Sequence, residues 1–244
     1  VNPVLLAVLG LAQPDAAFHE GVELRHDATA ARSKFIEAAK GYDAAWKSGD
    51  HTAVLAANRL RAHALAGDLP GAIAAAHGGL QVASHDVELR RDLETLRDAV
   101  AYPPGLRPEP ITGWRSRISA WDLFIFTTIC VLFIVIGLAR RFTVRDGWSL
   151  PVAGIGAVGM LLAMITVWQW NREKNREAER PLLVLTRDTS LRKGNGDTHP
   201  PRLDAKLPRG AEVRELHRRG GWVQVEVASG AIGWIPQETV IPIG

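Results

Sequence analysis

Trp121–Ala139 reads WDLFIFTTICVLFIVIGLA, and Ser149–Trp170, beyond the turn RRFTVRDGW, reads SLPVAGIGAVGMLLAMITVWQW. The first run is 19 residues long, carries one charge at Asp122, and is bracketed by Arg117 on one side and Arg140 and Arg141 on the other. A helix of about 20 mostly apolar residues crosses the hydrocarbon of a bilayer. Twelve residues of this run are Leu, Ile, Phe or Val, each favouring insertion by roughly 0.3–0.6 kcal/mol, which together outweigh an aspartate near the end. The second run is uncharged, richer in Gly and Ala, and closes with Trp168 and Trp170, residues enriched at a membrane–water boundary. The turn, residues 140–148, is too short for a domain. The spacing therefore predicts a transmembrane hairpin, helices 121–139 and 149–170, with both flanking regions on one side. A soluble core helix is seldom apolar on every face over five turns.

The hairpin leaves an N-terminal block of about 110 residues and a C-terminal block of about 70. The net charge of +3 is uneven: residues 13–106 hold 10 Lys or Arg against 13 acidic residues, 107–180 hold 10 against 6, and 181–244 hold 9 against 7. Positive charge thus collects beside the apolar runs, where anionic head groups attract it, and not in a nucleic-acid footprint. The single cysteine, Cys130, lies within the first run; it makes no intrachain disulfide and reads as a small packing residue.

Residues 1–12 end in the apolar run VLLAVLGLA followed by Gln13-Pro14, the pattern of a secretory signal remnant that lacks a basic n-region. Residues 15–101 are helical in pattern, with an internal period: Ala38, Tyr42 and Ala45 recur 34 residues later as Ala72, Ala76 and Gly79. That period, with small residues where helices approach closely, is that of tetratricopeptide repeats. LAGDLPGAIAAAHGGL resembles that family, Gly67 ending one helix and Pro70 opening the next. Asp86 is placed to cap a closing helix, Val87–Val100, whose Leu89, Leu93, Leu96 and Val100 form one stripe. Such repeats hold a peptide or partner protein, or pack only on each other. Residues 102–120 begin YPPGLRPEP and read as a stiff proline-rich linker, followed by an interfacial anchor at Trp114, Arg115 and Arg117.

Beyond the charged juxtamembrane segment 171–180 the period changes. Ala211–Leu216, Trp222–Val227 and Ile232–Ile235 read as strands, the first two joined at Gly220-Gly221. About five short strands in residues 181–244 predict a small β-barrel. Leu191-Arg192, LPRGAEV (207–213), GGWVQV (220–225) and GAIGWI (230–235) resemble a bacterial SH3 domain. Trp222 and Trp234 are its candidate ligand-binding residues, read equally well as core or as a peptide-stacking surface. The loop Asn195–Lys206 is longer than in the shortest versions.

The chain carries no catalytic, cofactor or metal signature that holds up, and reads as a non-enzyme. GIGAVG (154–159) matches GxGxxG inside the second apolar run, where no strand precedes it. His19, Glu23 and His26 have zinc-ligand spacing on a helix, but a solvated polar face explains them better. The expected fold class is multidomain: all-α tetratricopeptide-type repeats, a two-helix transmembrane hairpin and a small all-β SH3-like barrel. A signal-like start and these three parts in this order resemble the E-type proteins of the Bat (Bacteroides aerotolerance) group. The resemblance implies a membrane adaptor in the bacterial cell envelope with protein partners, among them von Willebrand factor type A membrane proteins. The alternative is a sensor that grips peptidoglycan peptides. A cleaved signal would put both blocks outside the cytoplasmic membrane and the Arg140, Arg141 and Arg145 turn inside; Arg115, Arg117, Arg172, Lys174 and Arg176 counted alone would reverse it.

Overall fold

Side-chain oxygens set where the N-terminal helices begin. Asp27 accepts from the N–H groups of Thr29 and Ala30, Thr52 from that of Leu55, and Asp86 from those of Glu88 and Leu89, each satisfying donors that a helix start leaves unpaired. The computed structural model of the chain describes residues 3–109, 120–143 and 147–243, and shows five helices here: α1 (Pro3–Glu23), α2 (Ala28–Lys47), α3 (Ala53–Leu65), α4 (Leu69–Val82) and α5 (Val87–Asp98). Gly67, at φ 72°, follows α3, and Pro70 lies in the first turn of α4. The segment read as a signal remnant runs from Pro3 straight into α1, which continues through Pro14.

Consecutive helices pack on one another: α1 on α2, α2 on α3, α3 on α4 and α4 on α5. The residues that recur with the 34-residue period lie on α2 and α4. Ala38, Tyr42, Ala72, Ala76 and Gly79 are all buried, and a methyl group on Gly79 would meet Ala56 at 2.8 Å and Leu89 at 2.9 Å. Helix α4 is buried from Pro70 through Ala76, so it is enclosed on every side.

The C-terminal block is a five-stranded antiparallel sheet, β1 (Leu182–Leu185), β2 (Glu212–Arg219), β3 (Trp222–Glu226), β4 (Ile232–Pro236) and β5 (Val240–Pro242), in the order β4-β3-β2-β1-β5. Gly220 and Gly221, at φ 58° and 78°, make the β2–β3 turn of the kind that matches strand twist.

The chain forms two compact units, Val1–Ile111 with Arg180–Gly244, and Thr112–Glu179. The helices and the sheet, two separate blocks in the sequence, therefore share one unit. Register explains how. Leu183 and Leu185 of β1 join Val213, Val223, Val225 and Ile235 in the sheet's own core, while Val184 between them packs with Ile73, Leu89 and Leu93 of the helices. Val184 pairs with Glu212 on one side and Ile241 on the other, so one row across β5, β1 and β2 faces α4 and α5. The run LLVL is apolar throughout because both of its faces are covered.

The second unit contains α6 (Ala120–Thr143) and α7 (Ser149–Glu179), packed together. Glycines set their approach: Gly137 lies against Ala153, and Gly156 and Gly159 against Cys130. Ala163 is buried in the same seam. Ala157 is exposed; Gly156, one position earlier, faces α6. GIGAVG thus lies wholly inside a helix. Both helices are long and apolar enough to cross a membrane, with mean hydropathy 2.5 over Trp121–Thr143 and 2.2 over Ser149–Gln169, and only 11% of each apolar window is buried. Trp121, Phe142, Trp148 and Trp168 stand exposed near the ends. Trp121 and Phe142 are separated by roughly 31 Å of helix at about 1.5 Å per residue, which matches the hydrocarbon thickness.

Gly210 is the tightest point between sheet and helices. Its φ is 88°, and a methyl group there would meet Val100 at 2.9 Å, Ile73 at 3.3 Å and Leu69 at 3.4 Å. Gly210→Ala is expected to cost about 2–4 kcal/mol through backbone strain and overpacking. Gly220→Asn, where φ is 58° and nothing lies within 4 Å, should cost under about 1 kcal/mol because asparagine tolerates this conformation. Urea unfolding of the detergent-solubilised protein, followed by near-ultraviolet circular dichroism, measures both.

Candidate functional site

The first helix of each hairpin and the closing helix line a groove. Phe18 of α1, Leu60, Ala64 and Leu65 of α3 and Leu96 of α5 give it an apolar floor of about 670 Å³, edged by Arg61, Arg91, Glu88 and Asp92. The helical period puts Arg61, Ala64 and Leu65 on the exposed face of α3, while Leu60 beneath them and Ala56, Arg59, Ala62 and His63 are buried. Leu65 stays 52% exposed. An apolar floor with charges of both signs at its edges suits an amphipathic peptide segment.

A buried polar cluster stiffens the opposite side of α3. Arg59 Nε donates to Asp43 at 2.7 Å, and its guanidinium lies 5.1 Å from the Trp46 ring, within cation–π range. His63 reaches Asp68 through Nδ1 at 2.9 Å and Asp43 through Nε2 at 3.3 Å. Burial lowers the His63 pKa, but hydrogen bonds and charge from the two aspartates outweigh it and hold it at about 9. Gly71 packs so close to Asp68 and His63 that a side chain there would collide with the pair.

A second cluster clamps the sheet to the helices. Glu212 is 6% exposed and accepts from Arg97 Nε and a terminal nitrogen of Arg97, each at 2.7 Å, with His77 Nε2 at 3.0 Å. Arg97 also donates to Glu94 at 2.7 Å. Burial alone would raise the Glu212 pKa, but Arg97 and His77 hold it near 2. Two-pronged pairing of this kind is among the stronger polar contacts a protein makes. The sequence offers no local sign of it, since the partners are 115 residues apart.

Trp222 and Trp234 lie outside the sheet's core cluster and are half-buried. Val223, Val225 and Ile235 point inward, so both tryptophans are on the outward face. Trp222 is opposite Pro236 and Trp234 opposite Gln224, with the His217 ring edge-on to Trp234 at 6.3 Å. Trp234 exchanges backbone hydrogen bonds with Arg192 at 2.8 and 2.9 Å, and the 195–206 loop is pinned where Pro201 bridges to Arg192. Helix α1 ends at Glu23, leaving His26 in the turn, so His19, Glu23 and His26 do not share a helical face. No group of three metal-ligating side chains occurs among the described residues.

No protein-family model matches the chain, and no curated protein or solved structure does either.

The two clusters predict a stability profile. Glu212 ordinarily titrates near 4.5 and here near 2, so its contribution is present above pH 4.5 and is lost as pH falls through 2. His63, raised from 6.5 to about 9, contributes fully below pH 6.5 and loses that contribution as pH rises through 9. The melting temperature should therefore be highest between about pH 4.5 and 6.5 and fall on both sides. His63→Gln should flatten the alkaline limb and shrink the acid limb only by the part that Asp43 and Asp68 owe to His63, leaving the part due to Glu212; scanning fluorimetry across pH reads both.

Proposed function

We propose that the chain is a membrane-anchored, non-enzymatic adaptor that holds protein partners at a bacterial cell envelope. The helical pairs are then tetratricopeptide-type repeats, the sheet is a bacterial SH3-like barrel, and the arrangement is that of E-type Bat proteins. The groove carries this reading: α1, α3 and α5 jointly present an apolar floor with charged edges and leave Leu65 uncovered. The exposed apolar surface of α6 and α7 supports the anchor, because burying it in lipid removes it from water. Partners with von Willebrand factor type A domains, a cytoplasmic-membrane location and an extracytoplasmic head follow from the resemblance. Leu65→Glu with Arg91→Glu should lower recovery of co-purifying membrane proteins from mild detergent at least tenfold while shifting the melting temperature by less than about 3 °C, as surface substitutions do. Recovery of the wild-type chain alone would contradict the adaptor reading.

The second reading, a peptidoglycan-peptide sensor, is favoured by one observation, the half-exposed Trp222 and Trp234 on the outward face. Binding to purified sacculi that is lost in Trp222→Ala or Trp234→Ala distinguishes it from the groove-based adaptor.

A further inference from the structure

Residues 102–109, read in the sequence as the start of a free linker, are a docked strap. Leu106 is 8% exposed and lies in the core cluster of the sheet, with Leu183, Val213, Val225 and Val227. Tyr102 packs against both the sheet's core and that of the helices. Arg107 ties the far end to α5 through Asp98 at 2.7 Å and Glu94 at 3.6 Å. Gly105, at φ 77°, and the Leu106 N–H donating to the Pro103 carbonyl shape a turn that presents the leucine.

The way the strap is held differs from the way a strand is held. Among the described residues no backbone hydrogen bond joins residues 103–109 to the sheet. Pro103, Pro104 and Pro108 have no N–H to offer, and the ion pairs of Arg107 are solvent-exposed, its side chain 47% accessible, where such pairs are weak. Two side chains, the buried Leu106 and the partly buried Tyr102, therefore do most of the anchoring. The prolines keep the free segment stiff, so little order is lost when it docks. Nothing in this set of contacts depends on the strap belonging to the same chain.

We infer that the barrel carries an apolar socket for a proline-flanked leucine followed by a basic residue, filled in cis by Leu106, and that a partner protein bearing such a segment competes for it. This surface is distinct from the groove and from the tryptophan face, so failure of either of those leaves it standing.

Two measurements on the full-length detergent-solubilised protein test the inference. In a Cys130→Ala background, the thiol introduced by Leu106→Cys should be labelled by a maleimide at least 100-fold faster than that introduced by Val225→Cys, and faster again, about fivefold, with Arg107→Ala. Equal rates would show that the strap opens only when the whole head unfolds, and would overturn the inference. In the second, a fluorescent peptide YPPGLRPEP should bind the Leu106→Asp protein at least tenfold more tightly than the wild type, and lose that binding when aspartate replaces its own leucine. Loss of the sheet's circular dichroism in Leu106→Asp, or equal binding of the two peptides, would mean that Leu106 is a structural core residue and nothing more.

Discussion

The carboxylate of Glu212 is the constraint on which the head depends. It lies on β2 in the row that β5, β1 and β2 turn toward the helices, flanked by Val184, and its charge is met by Arg97 and His77 from α5 and α4. A buried ion pair adds little net stability over an apolar pair of the same shape, because desolvation offsets most of the attraction. Removing one partner is another matter, since the charge left behind is costly. The pair therefore acts on geometry: the sheet is tolerated against the helices only in the register and orientation that bring Glu212 to Arg97. Gly210 reinforces this by admitting no side chain between the sheet and Val100.

Seen this way, α6 and α7 are an excursion from the head. The chain leaves after the strap and returns at β1, whose middle residue is already part of the helical core. In the proposed adaptor the groove and the tryptophan face lie apart on this body, and the hairpin offers its apolar surface to lipid.

Much of this was legible in the residues, for local reasons. Asp86 as a cap, Gly67 and Pro70 around a turn, Gly220-Gly221 between strands and two long apolar runs are signals that act locally, and each stands where the pattern put it. Of the residues related by the 34-residue period, Ala38, Tyr42, Ala72, Ala76 and Gly79 are buried and Ala45 is half-buried. Small residues recur along α7, and their spacing does not say which of them, here Gly156, faces α6. What stayed hidden was non-local. Arg97 and Glu212 look like ordinary surface charges on an amphipathic helix and a strand, and a pairing across 115 residues leaves no periodic trace. Leu106 was the subtler omission: a lone large apolar residue within a proline-rich stretch is a reason to expect docking. LLVL is apolar at every position, and why both of its faces are covered is understood only with the helices in place.

The central claim is that helices and sheet are one folded body despite the hairpin between them. Hydrogen exchange of the full-length protein in detergent, followed by mass spectrometry over a urea series, tests it most directly, using fragments from α4 and from β2–β3. The account predicts that both sets lose protection at one midpoint, and that Arg97→Met moves the two midpoints down together. Two separate midpoints, or a shift confined to β2–β3, would contradict it.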